Sequence, residues 1–186
     1  MLTLISHYTR WLHTRWPAGS VEKSPVVRAD GGTNVPGVYV CGDLAGIPLL
    51  KFALDSGARA ARTVAADPAL KQPGPADVPD LLIFGAGVAG MAAAAEARRL
   101  GLSYEVLEAS EPFATLVNFP RAKPIFTYPK AMTPEGVLQV KATVKEALVE
   151  ELREQVAREG IPVLNGRAER IERTGDVLTE IGRAHV

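Results

Sequence analysis

Cysteine is almost absent: Cys41 is the single one among 186 residues. An intrachain disulfide and a CxxC redox pair are therefore excluded. A charge excess of either sign is also absent, with 21 basic against 21 acidic residues. Nucleic-acid binders concentrate positive charge on one face, so no nucleic-acid partner is expected. No apolar run approaches the roughly 18 residues that suggest a membrane span. The first residues lack a basic segment followed by an apolar core and a small-residue cleavage site. No signal peptide is expected, and a cytoplasmic location is the default. Histidine is scarce too. His7 and His13 lie six apart, which is not the i, i+4 spacing of a helical metal site, so no metal is expected. What remains is a chain 47% hydrophobic, the usual share for a folded protein, and long enough for one domain or one and a half.

Leu2, Ile5, Tyr8, Trp11 and Leu12 fall at helical spacing and predict an amphipathic packing helix over residues 2–15. "SPVVRADGGTNVPGVYVCGD" reads as a strand, a Gly-rich turn and a second strand over residues 38–41. Residues 48–66 read as a helix with Pro48 in its first turn. Residues 67–79, "DPALKQPGPADVP", hold four prolines and read as a linker. "LLIF" at 81–84 is a short apolar run suited to a buried parallel strand. An Ala-rich helix to about Leu100 and the strand "SYEVLEA" complete a βαβ unit. Residues 110–136 form a long loop with five prolines and the aromatics Phe113, Phe119, Phe126 and Tyr128. A charged helix is predicted over 137–159, followed by three short strands up to residue 180. The last six residues, "IGRAHV", match the usual translation of a sequencing-adapter end, so they stand outside the functional reading.

Gly85, Gly87 and Gly90 make a GxGxxG pattern around Ala86, Val88 and Ala89. The first glycine allows the tight turn out of the strand. The second lets the backbone approach a pyrophosphate, and the third lets helix and strand pack closely. The helix N-terminus then offers free N–H groups and partial positive charge to phosphates. Glu108 lies 18 residues after Gly90, at the end of the next strand. There a carboxylate can accept hydrogen bonds from both ribose hydroxyls, and it would repel a 2′-phosphate. The loop therefore favours FAD or NAD over NADP.

"GVYVCGD" ends a hydrophobic run in Gly42-Asp43, with a helix start a few residues on. The stretch "TNVPGVYVCGDLAGIPLLKFALDSGARAARTVAAD" resembles the C-terminal FAD-binding segment of thioredoxin-reductase-like flavoproteins. Residues 80–110 resemble the N-terminal ADP-binding half of the same superfamily. The loop "EPFATLVNFPRAKPIFTYPKAMTPEG" is similar to a segment of flavin monooxygenases and YpdA-like reductases that lies near the isoalloxazine. The resemblance implies an α/β, Rossmann-like FAD/NAD(P)-binding fold with a parallel sheet in three layers, incomplete at the C-terminus. It implies that Asp43 holds the ribityl chain and that the helix after Pro48 stabilises negative charge on reduced flavin. Asn118 and Thr115 are candidate flavin contacts. FAD is the implied cofactor and NAD(P)H the electron donor of the intact protein. A redox protein acceptor and a homodimer are the implied partners. No catalytic acid, base or redox thiol is identified, and Cys41 is read as a small buried residue.

The order is inverted, because in that superfamily GxGxxG precedes GD and a nicotinamide domain lies between them. The resulting division is 1–66 for the helix and GD segment, 67–79 for the linker, 80–180 for the dinucleotide unit and 181–186 for the tail. Three accounts of that order stay open: the tail of an upstream unit in a tandem protein, a permuted piece that folds back onto the βαβ unit, and a vestigial copy. The permuted or duplicated accounts are favoured, since the linker spans roughly 30–40 Å when extended, enough for the GD segment to fold back. That account places residues 38–41 beside 81–84 in one sheet. Two other functions stay open: an NAD-binding dehydrogenase with a single Rossmann unit, and a non-catalytic nucleotide-binding module.

Overall fold

The computed structural model describes residues 26–71, 75, 77–175 and 177–184. The predicted helix over 2–15 lies outside the described residues. After a 3-10 turn at Gly42–Ala45 comes α1, Leu50–Ala65, and a second 3-10 turn at Pro68–Lys71. Then follow β1 (Leu81–Phe84), α2 (Val88–Leu100), β2 (Tyr104–Glu108), α3 (Ala114–Val117), α4 (Lys145–Glu159), β3 (Leu164–Thr174) and β4 (Val177–Ala184). The sheet order is β1-β2-β3-β4. β1 and β2 are parallel, from Leu81 opposite Tyr104 to Phe84 opposite Leu107. β2 and β3 are also parallel, but pair only through Leu107–Leu164 and Glu108–Asn165. β3 then leaves as a long antiparallel hairpin with β4. The fold is thus α/β with a mostly parallel sheet.

The core is alanine-rich where helices meet. Ala92, Ala93, Ala94, Ala95 and Ala97 of α2 are all buried. Ala53, Ala58, Ala60 and Ala61 of α1 are buried as well. Small side chains let two helix backbones approach closely, and backbone atoms take over the contact. A Cβ on Gly57 would overlap the carbonyl oxygen of Ala89. Larger residues fill the other side of the core: Phe113, Leu138, Leu148 and Leu152 are essentially inaccessible.

Three expectations need correction. Residues 38–41 are not a strand of the sheet and do not lie beside 81–84. Tyr39 instead bridges Gly32, with Thr33 N–H bonded to Val38 O at 3.0 Å and Val40 N–H to Gly31 O at 2.8 Å. Val38 N–H, Val38 O and Val40 N–H thus find their partners within the local 31–40 loop and not in the sheet. What folds back is the segment's helix, α1, onto α2.

The helix predicted from 137 begins only at Lys145. The stretch before it is rich in β-branched residues, which favour extension. The helix itself supplies its partners. Gln155 Oε1 accepts from Gln139 N–H at 2.8 Å, and Glu151 Oε2 accepts from Ala142 N–H at 2.8 Å.

Finally, the three short strands over 161–180 are two. A turn at Gly175, with φ +62°, joins them, and β4 runs on through residues 181–184.

Candidate functional site

The glycine loop sits at the carboxyl end of β1, where open α/β sheets receive ligands. Gly85 has φ +95°, a conformation that side chains rarely adopt. Gly90 meets the Gly85 carbonyl so closely that a Cβ there would overlap it. This contact brings α2 down onto the turn. Gly87 differs from both. Its backbone is extended, and a Cβ there would meet nothing within 4 Å. No packing of the chain itself therefore calls for glycine at 87, whereas a close-lying phosphate would. Gly87 caps α2 without a side-chain hydrogen bond, leaving the first-turn N–H groups of the helix to a ligand or to water.

Glu108 closes the site from β2. Its Oε2 accepts from Ala86 N–H at 2.8 Å, and its Oε1 accepts from Ser110 N–H at 2.9 Å and Ser110 Oγ–H at 3.0 Å. Burial pushes this carboxyl up, but the Ala86 and Ser110 donors outweigh it and hold it below the ordinary carboxylate value. A carboxylate has about four acceptor sites, and these three bonds leave one on Oε2 for a further donor. A second further donor needs the Ser110 hydroxyl to turn away.

The GD turn lies against this loop. Gly42 has φ +73°, and a Cβ on it would stand 3.0 Å from the Ala89 side chain. Ser56 of α1 holds the turn in place: its Oγ accepts from Gly42 N–H at 2.9 Å and donates to Ala53 O at 3.0 Å. Asp43 follows in the 3-10 turn with its side chain exposed. Gly42 also lines an open cleft of about 250 Å³, together with Arg28, Ile47, Phe52, Ser56 and Arg59. Gly42 and Ala89, 47 positions apart in the sequence, thus bring the two sequence motifs together in space.

Residues 80–119 match a protein family described as "FAD binding domain". That stretch is similar to an FAD binding domain. It covers β1, the glycine loop, α2, Glu108 and Asn118. No curated protein matches the chain. Among solved structures it is similar to the bacillithiol disulfide reductase Bdr (YpdA) from Staphylococcus aureus. Identity is 17% and the TM-score 0.46, over 55% of this chain and 33% of that one. It is also similar to a doubly substituted flavin monooxygenase from Stenotrophomonas maltophilia. There identity is 22% and the TM-score 0.47, over 56% of this chain and 33% of that one. The chain spans about a third of the length of each.

The remaining candidates are dispersed. Thr115 lies within α3 and Asn118 caps its end, and both are exposed. Cys41 is half-buried, and burial pushes its thiol up, away from a reactive thiolate. Among the described residues no group of three or more His, Cys, Asp or Glu could hold a metal ion. No described helix is long and apolar enough to cross a membrane.

Sequence reasoning missed two charged residues. Lys51, in the first turn of α1, is 7% exposed, and its Nζ donates to Pro129 O at 2.8 Å and Met132 O at 2.6 Å. Glu96 of α2 is wholly buried. Its Oε1 accepts from Arg62 Nε–H at 2.7 Å and from Arg99 at 2.6 Å, while Oε2 has no partner. Arg62 reaches on to Glu135 at 2.7 Å. The i, i+3 spacing of Glu96 and Arg99 was a visible signal of pairing. Nothing in the sequence signalled Arg62 as the second partner.

Proposed function

We propose that this chain forms the FAD site of a flavin-dependent oxidoreductase. The observation that carries this reading is the contact of Gly42 with Ala89, which sets the GD turn against the GxGxxG loop. A simple NAD site does not need that second element. The family match over residues 80–119 supports FAD as the cofactor.

In this reading Gly85, Ala86, Gly87, Val88, Ala89 and Gly90 take the pyrophosphate. Gly87 leaves room for it, and the free N–H groups of α2 bind its charge. Glu108 takes the adenosine ribose through its remaining acceptor site and disfavours a 2′-phosphate. Gly42 and Asp43 face the ribityl portion, and the exposed Asp43 carboxylate accepts its hydroxyls. Asn118 lies within the matched stretch and is the remaining candidate contact. FAD, when bound, supplies the hydride and electron transfer chemistry, and the chain supplies position and charge. NAD(P)H is the proposed electron donor. The unit runs from 80 to 180, with residues 26–66 docked on it and 67–79 as the connection.

The test is direct. The purified chain is titrated with FAD, followed by flavin fluorescence, and with NAD, followed by isothermal titration calorimetry. FAD uptake, followed by bleaching with NADH or NADPH, supports the reading. Uptake without bleaching supports a non-catalytic module. Selective NAD binding with rejection of FAD removes the flavin assignment in favour of a single-Rossmann dehydrogenase.

A further inference from the structure

We infer that Lys51 is a positioning residue for this site: its ammonium latches the proline-rich loop as a strap running from the glycine loop to α1. The cofactor arm of this inference rests on the flavin reading above. The latch itself does not.

The strap is fastened at both ends and tied in its middle to the stretch that enters α4, where Ile125 N–H bonds to Thr143 O at 2.8 Å and Lys145 N–H to Lys123 O at 3.0 Å. Phe113 N–H bonds to Ala86 O of the glycine loop at 2.9 Å, and the Phe113 ring is buried beneath it. Phe113 accepts φ +61° to do so, a strained conformation for a large side chain. At the far end Lys51 Nζ gathers three carbonyls of one loop: Pro129 at 2.8 Å, Met132 at 2.6 Å and Lys130 at 3.4 Å. Glu135 N–H adds a bond to Asp55 Oδ1 of α1 at 3.3 Å. Between the fastenings Phe126 and Tyr128 stack at 6.2 Å and 20°, and are 70% and 48% exposed.

A buried ammonium is costly unless its three donors are met. Here carbonyls of a single loop meet all three. Packing alone would be served by an alanine or a leucine in the first turn of α1. A lysine adds convergence: three backbone groups drawn to one point beside the helix that follows the GD turn. The stacked rings are therefore presented by a loop that cannot drift from α1. The rings stay exposed on a loop tied to both the glycine loop and α1, the two elements of the proposed site.

The test compares the full chain with Lys51→Met and Lys51→Arg. Trypsin cleavage after Lys130, beside the carbonyls that Lys51 holds, reports how often the latched end of the strap opens. Lys51→Met is expected to raise that cleavage about tenfold with unchanged far-UV circular dichroism. It is also expected to weaken FAD about tenfold and alter the visible spectrum of bound flavin, while Lys51→Arg restores both. Should Lys51→Met fail to fold, acetylation of the parent protein decides, because a latched Lys51 reacts about tenfold more slowly than exposed Lys130 or Lys141. Cleavage and FAD affinity within about twofold of the parent, or Lys51 acetylated as fast as Lys130, overturn the inference. A parent chain that binds no FAD, yet protects Lys51 and the strap, removes the flavin reading and leaves the latch.

Discussion

Gly57 of α1 and Ala89 of α2 touch backbone to backbone, so closely that a methyl group on Gly57 would overlap the Ala89 carbonyl oxygen. Ala89 is also the residue against which Gly42 packs. One residue at the start of α2 therefore meets both the GD turn and the helix that follows it.

Gly57→Val is expected to force the helices apart. Overpacking of this kind costs about 1–3 kcal/mol, and valine's helix propensity returns only a few tenths. Urea unfolding should show the loss, and FAD affinity should fall with it, because the GD turn moves with α1. A variant as stable as the parent would show that the two helices are not in register as described.

Gly87→Ala separates cofactor from fold. Its added methyl meets open space in the chain, so stability should stay within about 0.5 kcal/mol. FAD affinity should drop by more than about tenfold, because the methyl stands where the pyrophosphate must approach. Gly90→Ala should do the opposite first. Its methyl meets the Gly85 carbonyl, so the protein itself should unfold earlier in urea.

Glu108→Ala removes a charged acceptor of about 1.5–3 kcal/mol, so FAD should bind roughly ten- to a hundredfold more weakly. Glu108→Gln should lose less, since its amide oxygen can still accept from one hydroxyl. Equilibrium titration by flavin fluorescence reads both. Unchanged affinity in Glu108→Ala would remove this residue from the site.

The Arg62–Glu96–Arg99 cluster ties α1 to α2 and predicts acid sensitivity. Burial pushes the Glu96 carboxyl up, but hydrogen bonds and charge from Arg99 and Arg62 outweigh it and hold it below its ordinary value of 4.5. A depressed folded-state value means the contribution is complete above about pH 4.5 and is lost as pH falls through the folded value. Stability measured from pH 7 downward should therefore decline in the acid range, and Glu96→Gln should flatten that decline. Arg62→Met should cost about 1–3 kcal/mol at pH 7. Loss of a fully buried partner costs more, but the Arg62 side chain is 34% exposed and screened by solvent. A flat acid limb shared by the parent and Glu96→Gln would show that this carboxylate does not govern it.

The sequence by itself determined the parts whose signals are local. The apolar run 81–84, the glycine pattern, the Ala-rich helix and Glu108 at the end of a strand are set by periodicity and by backbone demands within some 30 residues. They stand where they were expected, except that β1 is only partly buried, with Ile83 inside and Phe84 40% exposed. The sequence also marked Gly42-Asp43 as a second element. Tertiary structure decided how that element joins the first. Residues 38–41 carry strand-like side chains, but their hydrogen bonds close locally on 31–33, and α1 does the docking. Residues 137–144 show the same effect: helical spacing lost to β-branched preference and to Glu151 and Gln155 side chains that reached their N–H groups. The couplings of Lys51 to 129–132, Arg62 to Glu96 and Gly42 to Ala89 join residues 34 to 81 positions apart. No periodicity spans such distances, so only packing could bring them together.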